Sequence, residues 1–384
     1  MTEINVEQVQ VLRSSDPDAQ RAWFRQMLET FVRLKSKSVI AIKPNLCAPL
    51  PAQTGATTEL WLIEETARFI RDKRSKPVLV EAPSHIHDYD QVMDVTGVRD
   101  VCKALDIEMV DSRKSTMALR PLKHDDEAGR VYHVGMAALG ADGIICLPKL
   151  KTHNRTQVTL GMKGLMGLLS WNDRHEFHRR GVELDVVELF RRLRSRIKLT
   201  VIDGLTAMEG HGPTNGRPVA MHTLIASPDT VSADAIACHI MGFEPEDIHH
   251  LRLAHEQGLG DMKRRWQVSP EDKPLPVRPF ERAREDSGLR TKVISFPPIS
   301  AALRSIHFGV RGRTKPALNP NVAPRSLDAE AAVCPTHAIE LPRTLHYDKC
   351  IGCGLCIETA TDHALVPENR LQKAGRVARE ILGR

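Results

Sequence analysis

ADGIICLPKLKTHNRTQVTLGMKGLMG, residues 141–167, is the stretch on which the fold turns. ADGIICLPKL is a short apolar run bounded by polar residues, the pattern of a buried strand. Upstream, KSVIAIKP and KPVLVEAP repeat that pattern, and TTELWLIEETARFIRDK lies between them with apolar residues at helical spacing and Thr58 as its expected cap. VRDVCKALDI reads as a helix and EMVD as a strand. Downstream, LDVVELFRRLRSR, TVSADAIACHIMG and IHHLRLAHEQGLG read as helices, with Asp229 capping the second, and KLTVIDG and VAMHTLIAS as strands. Strands alternating with helices predict a mostly parallel sheet covered on both faces. The expected fold is α/β over residues 1–265, arranged as two Rossmann-like lobes or one large doubly wound domain.

In such sheets polar chemistry gathers at the carboxyl ends of the strands. Past KSVIAIKP come Lys43, Asn45 and Cys47. Past ADGIICLPKL come Lys149, Lys151, Thr152 and His153, and then Lys163 among Gly161, Gly164 and Gly167. VIDGLTAMEGHGPTNGRP, residues 201–218, reads as a loop carrying Asp203 and Glu209, rich in glycine and proline and able to approach a ligand closely. Ammonium groups behind buried strands are costly unless they face water or an anion. Lys43, Asn45, Lys149, Lys151, Thr152, Asp203 and Glu209 are therefore candidates for binding an anionic small molecule, with His153 and Lys163 as proton carriers. Blander readings stand beside these. Lys43 can be a solvated strand-end charge, the Lys149–His153 group a surface turn, and Lys163 the partner of Asp203 or Glu209 in a buried ion pair. Cys102, Cys146 and Cys238 read as core, whereas Cys47 stands near the lysines. His175 and His178 form no complete metal set. No Walker loop and no GxGxxG after a strand is present, so no standard nucleotide site is expected.

The chain changes character near residue 266. Nine prolines fall between Pro270 and Pro324, too many for continuous regular structure, so 266–324 reads as a linker in which RPFERAREDSGLR can still form a short helix. Beyond it, CIGCGLC places Cys350, Cys353 and Cys356 at Cys-x-x-Cys-x-x-Cys spacing, and CPTHAIEL supplies Cys334 followed by Pro335. Soft thiolates at this spacing suit an iron–sulfur cluster or zinc; a triplet with a distant Cys-Pro and glycines in the tight loop favours one 4Fe–4S cluster. Position 360, where another ligand would follow, is Ala360. Residues 370–384 read as a terminal helix.

Two resemblances follow from these residues. HYDKCIGCGLC and CPTHAIEL resemble a bacterial ferredoxin domain, taken here as residues 325–369, which implies a small α+β tail. IKPNL, TTEL, LPKLKTHNRTQVTLGMKGLMG, VIDGLTAMEGHGPTNGRP, SPDTVSADAIA and GLG resemble the domain of unknown function 362 over about residues 36–261. That family commonly carries a ferredoxin tail. It usually has Lys-Asn where this chain has Lys163-Gly164, so any amide contact at that place is missing.

Composition narrows the function. Over 384 residues the net charge is +6 and aromatics make up 4%, which disfavours a nucleic-acid surface. Eight cysteines without a disulfide framework suit a reducing compartment. No stretch approaches a membrane span, and the first 30 residues hold no signal-like apolar core, so no integral membrane association and a cytoplasmic location are expected. The leading expectation is an iron–sulfur oxidoreductase that passes electrons between its cluster and the anionic molecule. The alternatives are a non-catalytic electron carrier docking a redox partner protein, and a non-redox enzyme with a structural cluster.

Overall fold

The computed structural model describes residues 4–84, 87–114, 116–119, 131–170, 172–174, 177, 182–270, 274–283, 315–334, 336–347, 349–350, 355–360, 362 and 364–367. Cys353, His175, His178, most of the expected linker and the segment 370–384 lie outside these residues. The chain forms two compact units, Met1–Glu281 and Arg282–Arg384.

The strands of the first unit are β1 (Val9–Arg13), β2 (Val39–Pro44), β3 (Lys76–Glu81), β4 (Glu108–Asp111), β5 (Thr116–Leu119), β6 (Tyr132–Gly135), β7 (Gly143–Leu147), β8 (Lys149–His153), β9 (Gln157–Val158), β10 (Ile197–Glu209), β11 (Arg217–Ser227) and β12 (Trp266–Ser269). Among the described residues one sheet runs β12-β1-β11-β10-β7-β2-β3-β4, with β8 and β9 branching from β10. β7, β2, β3 and β4 pair in parallel, as do β10 with β7 and β1 with β12. β11 runs antiparallel to both β10 and β1. The fold is α/β with a mostly parallel sheet, and its two halves share that sheet instead of forming separate lobes.

Alternation along the strands sends side chains to two cores. Ala41, Val78, Val80, Ile144 and Cys146 enter one cluster. Ile40, Ile42, Leu79, Ile145 and Leu147 enter the other, against Leu62, Ile63 and Ile70 of the helix Leu60–Asp72. Because both faces are covered, these strands are apolar at nearly every position.

Three local expectations change. Pro148, lacking an N–H, ends β7, so ADGIICLPKL is two strands. β8 then pairs with β10 alone among the parallel strands, and Pro148 O accepts the amide of Asp203. The helix after β2 begins one residue later than expected: Glu59 is its N-cap, while Thr58 donates its hydroxyl to Leu147 O. Asp229 does cap the helix Thr230–Ile240, accepting from Val231 and Ser232 N–H groups. Asp203 and Glu209 lie on β10, a strand of 13 residues, not on a loop.

The first unit continues past residue 265, into the segment expected to be linker. β12 adds to the sheet beside β1. Arg278 N and Phe280 N then donate to Ile240 O and Met241 O, and Phe280 is buried. Residues 278–283 are not helical, because those backbone groups are committed to the neighbouring helix end.

Among its described residues the second unit has two small antiparallel pairs: β13 (Pro316–Leu318) with β16 (Leu365–Pro367), and β14 (Ile339–Glu340) with β15 (Thr344–Leu345). Two helices, Asp328–Ala332 and Leu355–Thr359, accompany them. Leu327, Ile339, Cys356, Ala360, Ala364 and Leu365 form its core, with Cys334 packed against it.

Candidate functional site

The carboxyl ends of β2, β3, β7 and β10, with the β8 branch, gather most of the expected residues. Lys43, Lys149 and Lys151 are all buried there, at 3%, 0% and 0% exposure, so neither a solvated strand end nor a surface turn describes them. Each has its own partners.

Lys43 Nζ lies 2.9 Å from Glu81 Oε2 at the end of β3 and donates to Pro44 O. The amides of Leu46 and Ala82 donate to the same carboxylate. Lys149 Nζ lies 2.8 Å from Asp203 Oδ2, which also accepts from Glu59 N, while Asp203 Oδ1 accepts from Leu205 N. The Lys43 pair lies against Gly167, in the segment Leu165–Leu168 of the first core, and the Lys149 pair beside Leu205 of the second. The two ammonium groups therefore do not converge on a shared anion. Their charges are balanced inside the fold, as buried charges require. Asp203 is thus the partner of Lys149, not a group free to bind substrate or to pair Lys163.

Lys151 is different. Its Nζ is surrounded by Ala56 O at 2.6 Å, Asn45 Oδ1 at 3.0 Å, Pro213 O at 3.2 Å and Cys47 Sγ at 3.2 Å. Asn45 is held in turn by Thr58, whose hydroxyl accepts the Asn45 amide. Pro213 is delivered by the turn between β10 and β11, which packs against β8 so closely that a Cβ on Gly212 would lie 2.0 Å from Thr152 O. Thr152 donates its hydroxyl to Gly210 O in that turn, a structural task in place of the expected ligand contact.

His153 is buried, and its Nδ1 accepts from Arg155 N at 3.0 Å and Thr156 N at 3.3 Å. An acceptor Nδ1 places the ring proton on Nε2. Lys163 sits in the short helix Leu160–Gly164, where its charge, after burial, helps hold His250 low. Glu209 is buried and clasped by Arg278 at 2.8 and 3.1 Å, by Arg217 at 2.6 Å and by the amide of Glu281. The Arg278 contact leads in pulling its carboxyl down to about 2. Glu209 therefore fastens the segment 278–283 to β10.

Sequence reasoning missed several groups here. Glu81 was hidden inside an apolar strand. Glu59, half-buried beside Asp203 and Lys149, has its carboxyl raised by burial and by the Asp203 charge. In the turn after β8, Asn154 Oδ1, Gln157 Oε1 and Thr159 Oγ1 are buried without hydrogen-bond partners. Gln157 and Leu160 flank Thr159 with φ of 64° and 47°, a region that side chains other than glycine seldom occupy. The only sequence signal was the density of Thr, Asn and Gln directly behind a buried strand.

In the second unit Cys334 and Cys356 share one small core, and the Ala338 amide donates to Cys334 Sγ at 3.2 Å. Cys350 is half-buried, and its amide donates to His346 O. Ala360 is fully buried in the same core. Two soft donors thus share one apolar core, while among the described residues no three Cys, His, Asp or Glu side chains are grouped as a bound metal needs; Cys353 lies outside those residues.

Among the described residues no helix is long and apolar enough to cross a membrane. The chain is 26% identical over 265 residues to the thylakoid-associated protein sll1697 of Synechocystis, covering 66% of this chain and 80% of that one. It is also similar to the lactate racemase apoprotein of Thermoanaerobacterium thermosaccharolyticum, at 12% identity and a TM-score of 0.37, over 62% of this chain. The chain spans 58% of that protein's length. The family model described as domain of unknown function (DUF362) matches residues 40–239, from β2 through the helix Thr230–Ile240. This interval holds every residue of the carboxyl-edge site, and the chain belongs to the DUF362 family.

Proposed function

We propose that this protein is a cytoplasmic iron–sulfur oxidoreductase. Its C-terminal unit holds one 4Fe–4S cluster through Cys334, Cys350, Cys353 and Cys356. Its α/β unit binds a small polar molecule at the carboxyl edge of the sheet. The observation that carries the reading is the convergence of Cys334 and Cys356, distant in sequence, on one small core with an amide on sulfur. When bound, the cluster would supply single electrons and no open iron site, since four thiolates complete its ligand set.

The sequence led toward an anionic substrate because the lysines were expected to be unbalanced. With Lys43 and Lys149 neutralised, the groups left to bind a ligand are the acceptors of the β8 turn, Asn154, Gln157 and Thr159. Buried acceptors without partners are rare in native folds, and a ligand bearing N–H or O–H groups would satisfy them. Glu59, with its raised carboxyl, would exchange a proton with that ligand.

The experiment begins with anaerobic purification and identification of the co-purified small molecule by mass spectrometry. That molecule is then added to dithionite-reduced protein while the cluster absorbance is followed. Return of the bleached absorbance in the wild type, and its loss in Thr159→Val, supports the oxidoreductase. Tight binding with a permanently bleached cluster would mean a non-redox enzyme whose cluster is structural.

A further inference from the structure

Taking as given a ligand at the turn after β8, as proposed above, we infer that it is an uncharged polyol held by Gln157, Thr159 and His250, and neither an acid nor an amine.

Gln157 Nε2 donates to Asp247 O at 3.4 Å, which sets the turn beside the residues leading into the helix His249–Glu256. A backbone carbonyl only accepts, so this contact fixes which way the Gln157 amide points. Its Oε1 is then the buried atom left without a partner. Thr159 and His250 are 4% and 1% exposed, and the Thr159 hydroxyl and both His250 ring nitrogens are likewise buried and unpartnered. Buried polar groups of native folds are nearly all paired, so these four atoms on two neighbouring segments mark a place for a ligand.

The chemistry of the atoms sets the charge of what they hold. Burial, followed by the charge of Lys163, keeps the His250 imidazole neutral, at about 3. A neutral imidazole offers one N–H and one bare nitrogen, a hydroxyl both donates and accepts, and the Gln157 oxygen only accepts. An amine would bring a second positive charge beside Lys163 and find no carboxylate to balance it. Glu81, Asp203 and Glu209 are held by Lys43, Lys149 and Arg278, and Asp234 spends its two oxygens on the amides of Gly161 and Met162. Glu59 is pushed toward its uncharged form, by burial and by the Asp203 charge. An acid would set its oxygens against the unpartnered oxygens of Asn154 and Gln157. Either charge would be buried at a cost.

A hydroxyl group meets both needs at once. Its O–H reaches an amide oxygen or the bare imidazole nitrogen, and its lone pairs take the imidazole N–H or the Thr159 O–H. Adjacent hydroxyls on one carbon chain do so across both segments.

The test is ligand-observed saturation-transfer NMR on the full-length protein with three molecules of one four-carbon frame. These are erythritol, erythronate with its carboxylate, and 1-amino-1-deoxyerythritol with its ammonium. Erythritol should bind at least about tenfold tighter than either charged analogue. Gln157→Leu, which removes one acceptor, should weaken erythritol about tenfold. Gln157→Glu keeps the shape and adds a carboxylate, so preference should pass to the amine, a change that a merely structural Gln157 would not produce. If Gln157→Leu fails to fold, the wild-type order and Gln157→Glu decide. A charged analogue that binds as tightly as erythritol overturns the inference, as does binding of none of the three, which would mean that the four atoms hold water only. Erythritol bound by a protein whose cluster no ligand reoxidises would uphold the inference and remove the oxidoreductase. An anionic molecule that reoxidises the cluster would do the reverse.

Discussion

Gly167 has no room for a methyl group. A Cβ there would lie 2.0 Å from Glu81 Oε1 and 2.7 Å from Lys43 Nζ, so the buried ion pair occupies the space a side chain would need. Gly167→Ala must displace or break the pair, and overpacking with loss of a buried pair costs about 3 kcal/mol or more. The urea midpoint of the α/β unit should fall accordingly; a change under about 0.5 kcal/mol would mean that the pair can shift aside. His250 gives a second test at this scale. Both ring nitrogens are buried and unpartnered, and burial, followed by the charges of Lys163 and His249, holds its pKa at about 3. Below its ordinary value of 6.5 the unfolded chain takes the proton and the folded one does not, so stability falls as pH drops from 6.5 toward 3. Asp234 opposes this. Burial raises its carboxyl to about 7, so the folded state retains a proton through the window from 3.8 to 7. The difference between His250→Leu and wild type isolates the histidine, and should grow by about 1.4 kcal/mol per pH unit below 6.5, reaching about 3 kcal/mol at pH 4. A difference independent of pH would show that the imidazole finds a partner.

Elements differ in how openly the sequence declared them. The apolar runs that became β2, β3 and β7 were plain because both faces of the sheet are covered. β12 was not, because Trp266–Ser269 is a four-residue edge strand whose character comes from pairing with β1. The segment 274–283 was read as linker for its prolines, yet it is fixed by backbone bonds and by the Glu209 clasp. Partners could not be read at all where they depended on strand neighbours. Lys151 and Cys47 stand on segments about 100 residues apart, joined only once the turn after β2 meets the β8 branch of the sheet. It follows that a fragment ending at residue 265 should melt lower than one ending at residue 283, since it loses β12 and the clasp. Glu209→Gln in the full chain should expose the 274–283 segment to limited proteolysis. Its carboxyl is held well down by Arg278 and its other partners, so the clasp acts fully above about pH 4.5 and weakens as pH falls toward 2. Equal melting of the two fragments would return that segment to the linker.

At the scale of the whole molecule a DUF362 α/β unit is followed in sequence by a small unit whose core holds Cys356, with Cys334 packed against it. The short spacing of Cys350, Cys353 and Cys356 is plain in the sequence, and the cluster we propose there needs ligands at such intervals. The neutralisation of Lys43 and Lys149 at the carboxyl edge was not, because it depends on contacts between distant strands. The measurement that tests the central claim most directly is iron and acid-labile sulfide per chain in anaerobically prepared protein, with Cys334→Ser beside it. The account predicts about four of each in the wild type, and a loss in Cys334→Ser as severe as in Cys353→Ser. One zinc per chain with no sulfide, or a Cys334→Ser protein that keeps its full iron content, would contradict it.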